Sequence, residues 1–227
     1  AEARNARYDI LKNFCKKNKI KIILTAHNLE DQVETFLIRL SRGSGLKGLS
    51  SMKTFSKINN QLSLFRPLLD TKKEFLIKIS KAIFGKYFKD PSNKNEKYLR
   101  TKVRSLKKPL EKSGIKYEKI FRSIQNLSDS KKTLELYLKN IFKELIKRKN
   151  MEISINFKKY IDLNKDTKIA LINMSIKQLK SNYYDLRSKK VENLIRSIEK
   201  KEFKNITLGG CIFFKKEDNL CLKVEKR

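Results

Sequence analysis

Apolar and polar positions alternate along the chain in patterns that separate helices from strands. Residues 1–18 carry Ala3, Ala6, Ile10, Leu11 and Phe14 at helical spacing and read as an amphipathic helix. Ile20 to Ala26 is an apolar run without period-two alternation, the pattern of a strand buried on both faces. Val33, Phe36, Leu37 and Leu40 then form an i, i+3, i+4, i+7 stripe on a second helix. Helix, strand and helix in this order predict a parallel α/β sheet with Ile20–Ala26 central. Residues 53–66 read as one or two further strands. Thr71 and Glu74 form a capping-box signature before Phe75, Leu76 and Ile79, predicting a helix over 71–83. Asp90-Pro91-Ser92-Asn93 is a turn. A helix over about 95–107 is expected to stop near Pro109.

Beyond Pro109 the pattern changes. Ile120, Ile124, Leu127, Leu134, Leu138 and Leu145 define a long helix over 117–148. A strand at 151–157, helices at 165–180 and 186–200, and a β-hairpin turning at Glu217-Asp218-Asn219 follow. The expected boundary lies near 105–115, giving domains 1–109 and 110–227. The second is expected to be mostly helical with a terminal hairpin.

Composition narrows the partners. Lys and Arg number 55 against 24 Asp and Glu, a formal charge of +31. Such an excess favours a polyanion, because Lys and Arg release counterions from a phosphate backbone. Joint enrichment in Lys, Asn and Ile is the competing, compositional explanation. No apolar run is long enough to span a bilayer, and no secretory leader pattern is present. Cys15, Cys211 and Cys221 lack metal-ligand spacing. Cys211 and Cys221 are placed to face each other across the hairpin, but reduced thiols of a cytosolic protein are the expectation.

Four constellations carry candidate chemistry. Asp31 and Glu34 share a helix face, suited to Mg²⁺ with substrate phosphates or simply to a helix N-terminus. His27, the only histidine, closes the first strand at its carboxyl end, where open α/β sheets bind ligands. Arg42-Gly43-Ser44-Gly45-Leu46-Lys47-Gly48 offers backbone donors, a hydroxyl and cations to an anion, or is an ordinary helix-ending loop; it lacks Walker A spacing. Arg100 and Arg104, with Lys97, Lys107 and Lys108, make a basic ridge able to meet phosphates or only solvent.

Together these segments resemble the bacterial tRNA(Ile)-lysidine synthetases, PP-loop ATP pyrophosphatases. The matching pieces are Ala3-Arg4 and Arg7-Tyr8 in the opening helix and His27-x-x-Glu30-Asp31-Gln32-Val33-Glu34-Thr35. They continue with Arg39-Leu40-x-Arg42-Gly43-Ser44-Gly45-x-x-Gly48-Leu49-x-x-Met52 and Arg66-Pro67-Leu68-Leu69. Asp90-Pro91-Ser92-Asn93 and Tyr98-x-Arg100-x-x-Val103-Arg104 complete the series. More loosely, Leu208-Gly209-Gly210-Cys211 resembles the end of that family's substrate-binding domain.

The resemblance implies ATP and Mg²⁺ as cofactors. Its partners would be a tRNA(Ile) with a CAU anticodon and free L-lysine, in the cytoplasm and without a membrane. ATP would adenylate C2 of the wobble cytidine, and lysine would then replace AMP to give lysidine. It assigns His27, Asp31 and Arg42 to catalysis and Arg7, Gly43, Ser44 and Gly45 to the nucleotide. It further assigns Asp31 and Glu34 to the metal and Arg100, Arg104, Lys107 and Lys108 to tRNA.

Two departures stand out. The family's Ser-Gly-Gly-x-Asp-Ser phosphate loop has no counterpart here, so an amino-terminally truncated and inactive chain that still binds tRNA is the expectation. Glu30 and Thr101 stand where Asp and Asn are usual. A non-catalytic RNA-binding remnant and a cytidine thiolase remain alternatives, and the oligomeric state is open, a homodimer included.

Overall fold

The computed structural model describes residues 2–88, 98–180, 183, 188–200 and 203–225, so the expected turn at Asp90–Asn93 and Lys97 lie outside the described residues. The chain divides into two compact units, Ala1–Lys131 and Lys132–Arg227.

The first unit opens with α1 (Glu2–Lys17) and β1 (Ile22–Leu24) and continues with α2 (Leu29–Leu40) and α3 (Leu46–Leu49). Next come β2 (Phe55–Lys57), β3 (Ser63–Phe65) and α4 (Lys73–Phe84), then α5 (Leu99–Ser105) and α6 (Lys107–Lys112). The long α7 (Tyr117–Leu145) begins here. Its sheet has the order β1-β3-β2. β1 runs parallel to β3, pairing Ile22 with Ser63 and Leu24 with Phe65. β2 is antiparallel to β3.

The parallel pair and its crossover helix are as expected. β1 is not central, however. It forms one edge of this sheet, with Ile22 50% and Leu24 65% exposed. Its apolar run matches a buried strand, but among the described residues it has a strand neighbour on one side alone.

Leu29 and Val33 of α2 pack against Tyr117 and Ile124 of α7, with Phe36 and Leu37 beside them. Three of the four predicted stripe positions therefore meet this core, while Leu40 is half exposed. The expected break at Pro109 does not occur there. Pro109 sits in the first turn of α6, where a helix tolerates proline because that N–H has no intrahelical partner. The Thr71–Glu74 capping box is also not formed. The N-cap of α4 is Lys72, without a side-chain cap, and the carboxylate of Glu30 accepts from the Lys73 N–H at 2.9 Å instead.

The second unit is a two-layer α/β sandwich. β4 (Ile146–Lys149), β5 (Glu152–Asn156), β6 (Ile206–Leu208), β7 (Cys211–Lys216) and β8 (Asn219–Val224) form an antiparallel sheet of order β4-β5-β8-β7-β6. α8 (Phe157–Ile161), α9 (Lys165–Leu179) and α10 (Ser188–Ile198) complete the unit. Ile153, Ile155, Phe213, Leu220 and Leu222 from one sheet face close a core with Leu171, Ile172 and Ile176 of α9 and Val191, Leu194 and Ile198 of α10. The expected hairpin is thus the centre of a larger sheet. β4 was expected as the end of a helix, because its Lys-Arg-Lys run has no strand signature of its own. Cys211 pairs in register with Val224 and Cys221 with Phe214. All three cysteines are buried and free.

Candidate functional site

The candidate site starts at the carboxyl end of β1. Thr25 extends the parallel ladder by one bond to the Phe65 carbonyl. His27 then sits half-buried, its Nδ1 2.9 Å from the Thr25 hydroxyl. Asn28 caps α2. Its side chain accepts from the Asp31 N–H, and Asp31 reciprocates by accepting from the Asn28 N–H. Two otherwise unpaired N-terminal donors are satisfied by this exchange.

One turn on, Glu34 is sealed, its side chain 3% exposed. Its Oε1 accepts from Arg104 Nε at 2.7 Å, and its Oε2 accepts from Arg104 Nη2 at 3.0 Å and from Arg100 Nε at 2.9 Å. Arg100 Nη2 also reaches Asp31 Oδ1 at 3.2 Å. The i, i+3 spacing of the carboxylates on α2 thereby meets the i, i+4 spacing of the guanidinium groups on α5. The short contact to Glu34 holds the Arg104 guanidinium above its ordinary pKa. Lys107 pairs with Glu30 at 3.3 Å and lies over the Tyr117 ring. Tyr117 is buried, and desolvation, aided by the negative Glu34, raises its phenol to about 12.

This arrangement relocates the expected roles. Arg100, Arg104 and Lys107 turn toward acidic residues of α2, and Lys108 is exposed. As arranged, Asp31 and Glu34 do not fit a magnesium ion. Each of their oxygens already accepts from a guanidinium or a backbone N–H, whereas magnesium needs open oxygens in octahedral array. Among the described residues no cluster of three or more His, Cys, Asp or Glu could hold a metal.

The glycine loop also stands apart. Asp31 sits in the first turn of α2 and Arg42 two residues past its end, with about 14 Å of helix from Asp31 to Leu40. The N–H groups of Arg42, Gly43 and Ser44 donate to carbonyls of Arg39 and Leu40, closing the helix. Gly43 takes a positive φ of 65° there, and a side chain at Gly48 would collide with Ser44. Arg42, Gly43 and Gly45 are exposed, as is Arg7 on α1.

Three residues that the sequence reading quoted without a role hold this loop and its neighbour in place. Arg39 donates to the carbonyls of Gly48 and Ser51 at 2.7 and 3.0 Å, and burial lowers its pKa. Gln32 exchanges two 2.8 Å bonds with the Met52 backbone. Arg66 donates to the Lys53 carbonyl. A cleft of about 280 Å³ opens beside the acidic residues, lined by Glu30, Glu34, Lys73, Glu74, Ile77, Arg104, Lys107 and Tyr117. Among the described residues, no helix is long and apolar enough to cross a membrane.

Comparison with known proteins adds a lineage. Residues 1–110 match the PP-loop domain. The tRNA(Ile)-lysidine synthase of Wolbachia pipientis wMel is 34% identical over 223 residues, covering 97% of this chain and 52% of that protein. That of Rickettsia felis is 31% identical over 226 residues, covering 97% and 51%. That of Orientia tsutsugamushi is 44% identical over 110 residues, covering 48% of this chain and 24% of its own length. The chain spans about half the length of the curated relatives it matches along their common region. Among solved structures, a U34-tRNA thiolase from Methanococcus maripaludis with its [4Fe-4S] cluster aligns with a TM-score of 0.44. It shares 21% identity over 56% of this chain and 43% of that one.

Proposed function

We propose, from the premise that this chain carries a PP-loop domain and is a homologue of the tRNA(Ile)-lysidine synthases over nearly its whole length, that it serves ATP-dependent joining of lysine to a tRNA(Ile) with a CAU anticodon. The observation that carries this reading is the polar constellation at the carboxyl end of β1, where His27 is held by Thr25 and where Asp31 and Glu34 are tied to Arg100 and Arg104.

In this reading ATP adenylates the C2 oxygen of the wobble cytidine and pyrophosphate leaves. The lysine ε-amine then attacks C2, the C2–O bond breaks, AMP departs and the amine sheds a proton. His27, oriented through Nδ1 by Thr25, holds that proton. Asp31 fixes the edge of the site through its bonds to Asn28 and Arg100. The cleft beside Glu30 and Lys107 presents both signs of charge and suits a small zwitterion such as lysine. Magnesium accompanies the ATP phosphates and is not resident on Asp31 and Glu34. Arg7 and Arg42, both exposed, meet phosphate oxygens away from His27. The second unit contributes tRNA affinity, and the reaction belongs to the cytoplasm.

The sulfur-transfer alternative has less support. Cys15 is the one thiol of the first unit, and Cys211 and Cys221 lie buried in the second.

Because this chain shows no counterpart of the Ser-Gly-Gly-x-Asp-Ser phosphate loop, the test supplies it joined behind that loop, with ATP, labelled lysine and tRNA(Ile) transcripts carrying C or U at the wobble position. Label should enter the C transcript alone. His27→Ala and Asp31→Asn should each lower the rate by about 100-fold or more, with tRNA affinity nearly unchanged. Incorporation at another nucleotide, or undiminished rates in both variants, would reject the mechanism. Tight tRNA binding with no incorporation would favour the non-catalytic alternative.

A further inference from the structure

The sheet of the second unit buries one face and leaves the other uncovered by its helices. The register assigns that outer face row by row. Lys149, Glu152, Lys223 and Ile212 form one row; Lys147, Ser154, Cys221 and Phe214 form the next; Asn156, Asn219 and Lys216 form the third. Lys147, Lys149, Lys216 and Lys223 are all exposed. With strands about 4.8 Å apart and same-face residues about 7 Å apart, these ammonium groups are spread over the sheet, not bunched at one edge.

A basin of about 590 Å³ is lined by Lys149, Met151, Glu152, Lys216 and Lys223 among others. Its one acidic neighbour in these rows is Glu152, whose negative charge, after desolvation, holds the buried Cys221 thiol above its ordinary pKa. Lys223 lies 5.2 Å over the Phe214 ring, which holds its ammonium near the sheet surface.

We infer that this outer sheet face is the surface through which the second unit grips the phosphodiester backbone of a folded RNA. Four lysines against one carboxylate give the charge complementarity. Asn219 and the Lys216 ammonium supply hydrogen-bonding groups able to reach ribose hydroxyls, which distinguish RNA from DNA, while Asn156 caps α8 and Ser154 donates to the Lys147 carbonyl. A face lacking arginine forks and carrying one partly covered aromatic ring favours backbone contact over base readout. The inference rests on the tRNA reading above and gives it a place on the molecule.

The experiment uses the full chain and a tRNA(Ile) transcript, without ATP or lysine, across a salt series. One variant replaces Lys149, Lys216 and Lys223 by Gln. A control replaces Lys177, Lys189 and Lys190, exposed on the helical layer, so both lose the same net charge. Circular dichroism melts verify that each is folded.

The sheet variant should lose at least about tenfold in affinity near physiological salt. The slope of log affinity against log salt should shrink by about 2 to 3, while the control stays within about twofold. Equal losses in both variants, or no loss in the sheet variant, would overturn the assignment of this face and leave the tRNA reading standing. Failure of the unaltered protein to bind tRNA even at low salt would overturn both. Loss of binding to phosphatidylglycerol vesicles with RNA affinity intact would instead make the face a membrane contact.

Discussion

Removing Arg104 should damage the protein more than removing the carboxylate it serves. Glu34 is nearly sealed at 3% side-chain exposure, whereas Arg104 and Arg100 are 33% and 39% exposed. Arg104→Met deletes two of the three nitrogens that bond Glu34 and leaves a carboxylate out of water with Arg100 alone. Breaking a buried pair costs about 3–5 kcal/mol, and the surviving Arg100 contact puts this case near the lower end, about 3 kcal/mol. Glu34→Gln removes the buried charge and leaves two guanidinium groups able to rehydrate, at about 1 kcal/mol. In the double variant the stranded carboxylate no longer exists, so the two effects should fall short of additive by about 2 kcal/mol.

Because two units unfold, a single melting curve is a poor reporter. Cys15, buried in the first unit, supplies a local one. Its alkylation as a function of urea, read by peptide mass spectrometry, follows the first unit while Cys211 and Cys221 follow the second. A Glu34→Gln variant less stable than Arg104→Met, or strictly additive effects, would refute the reasoning.

Tyr117 should make the first unit sensitive to alkali. Its folded pKa of about 12 exceeds the unfolded value near 10, so stability is complete below pH 10 and falls from there to about pH 12, by about 1.4 kcal/mol per pH unit. Tyr117→Phe should abolish that fall in a urea series at pH 9 to 12. Gln32→Leu strands the N–H and carbonyl of Met52 and should cost about 2–3 kcal/mol; faster limited proteolysis near residues 50–53 would register it. Glu217 holds a left-handed φ of 52° at the β7–β8 turn, so Glu217→Gly should stabilise the second unit by about 1 kcal/mol, seen as a higher urea midpoint for Cys211 and Cys221 alkylation.

The sequence announced what local chemistry decides. The stripe of Val33, Phe36 and Leu37 and the turn residues Glu217-Asp218-Asn219 require no distant partner to be recognised, and helix and hairpin stand as expected. What failed to show depended on residues far away in the chain. The N-terminus of α4 is closed by Glu30 and not by the nearby Thr71–Glu74 pair, because a carboxylate already fixed on α2 reaches the Lys73 amide first. Arg100 and Arg104 looked like a phosphate ridge because their spacing reveals a face and not what the face meets. The same holds for Asp31 and Glu34, whose shared face was legible while the guanidinium groups occupying it were not. The exposure of Ile22 and Leu24 has a similar origin, since an apolar run states its own preference and not its neighbours.

The β1–β3 ladder bears on the order in which the molecule assembles. Ile22 meets Ser63 only after roughly 40 residues of intervening chain have closed into a loop, whereas β7 and β8 are joined by a two-residue turn between Lys216 and Asn219. By loop-closure entropy the longer loop is disfavoured by about 2.7 kcal/mol, and its reward is a parallel ladder three residues long. The 32–52 amide exchange shortens that search by pinning half of it early. The wider sheet of the second unit waits at least as long, since Asn156 meets Asn219 across about 60 residues, so the β7–β8 hairpin is the piece that local closure favours first, ahead of the ladder that positions His27 and ahead of the sheet it will itself join.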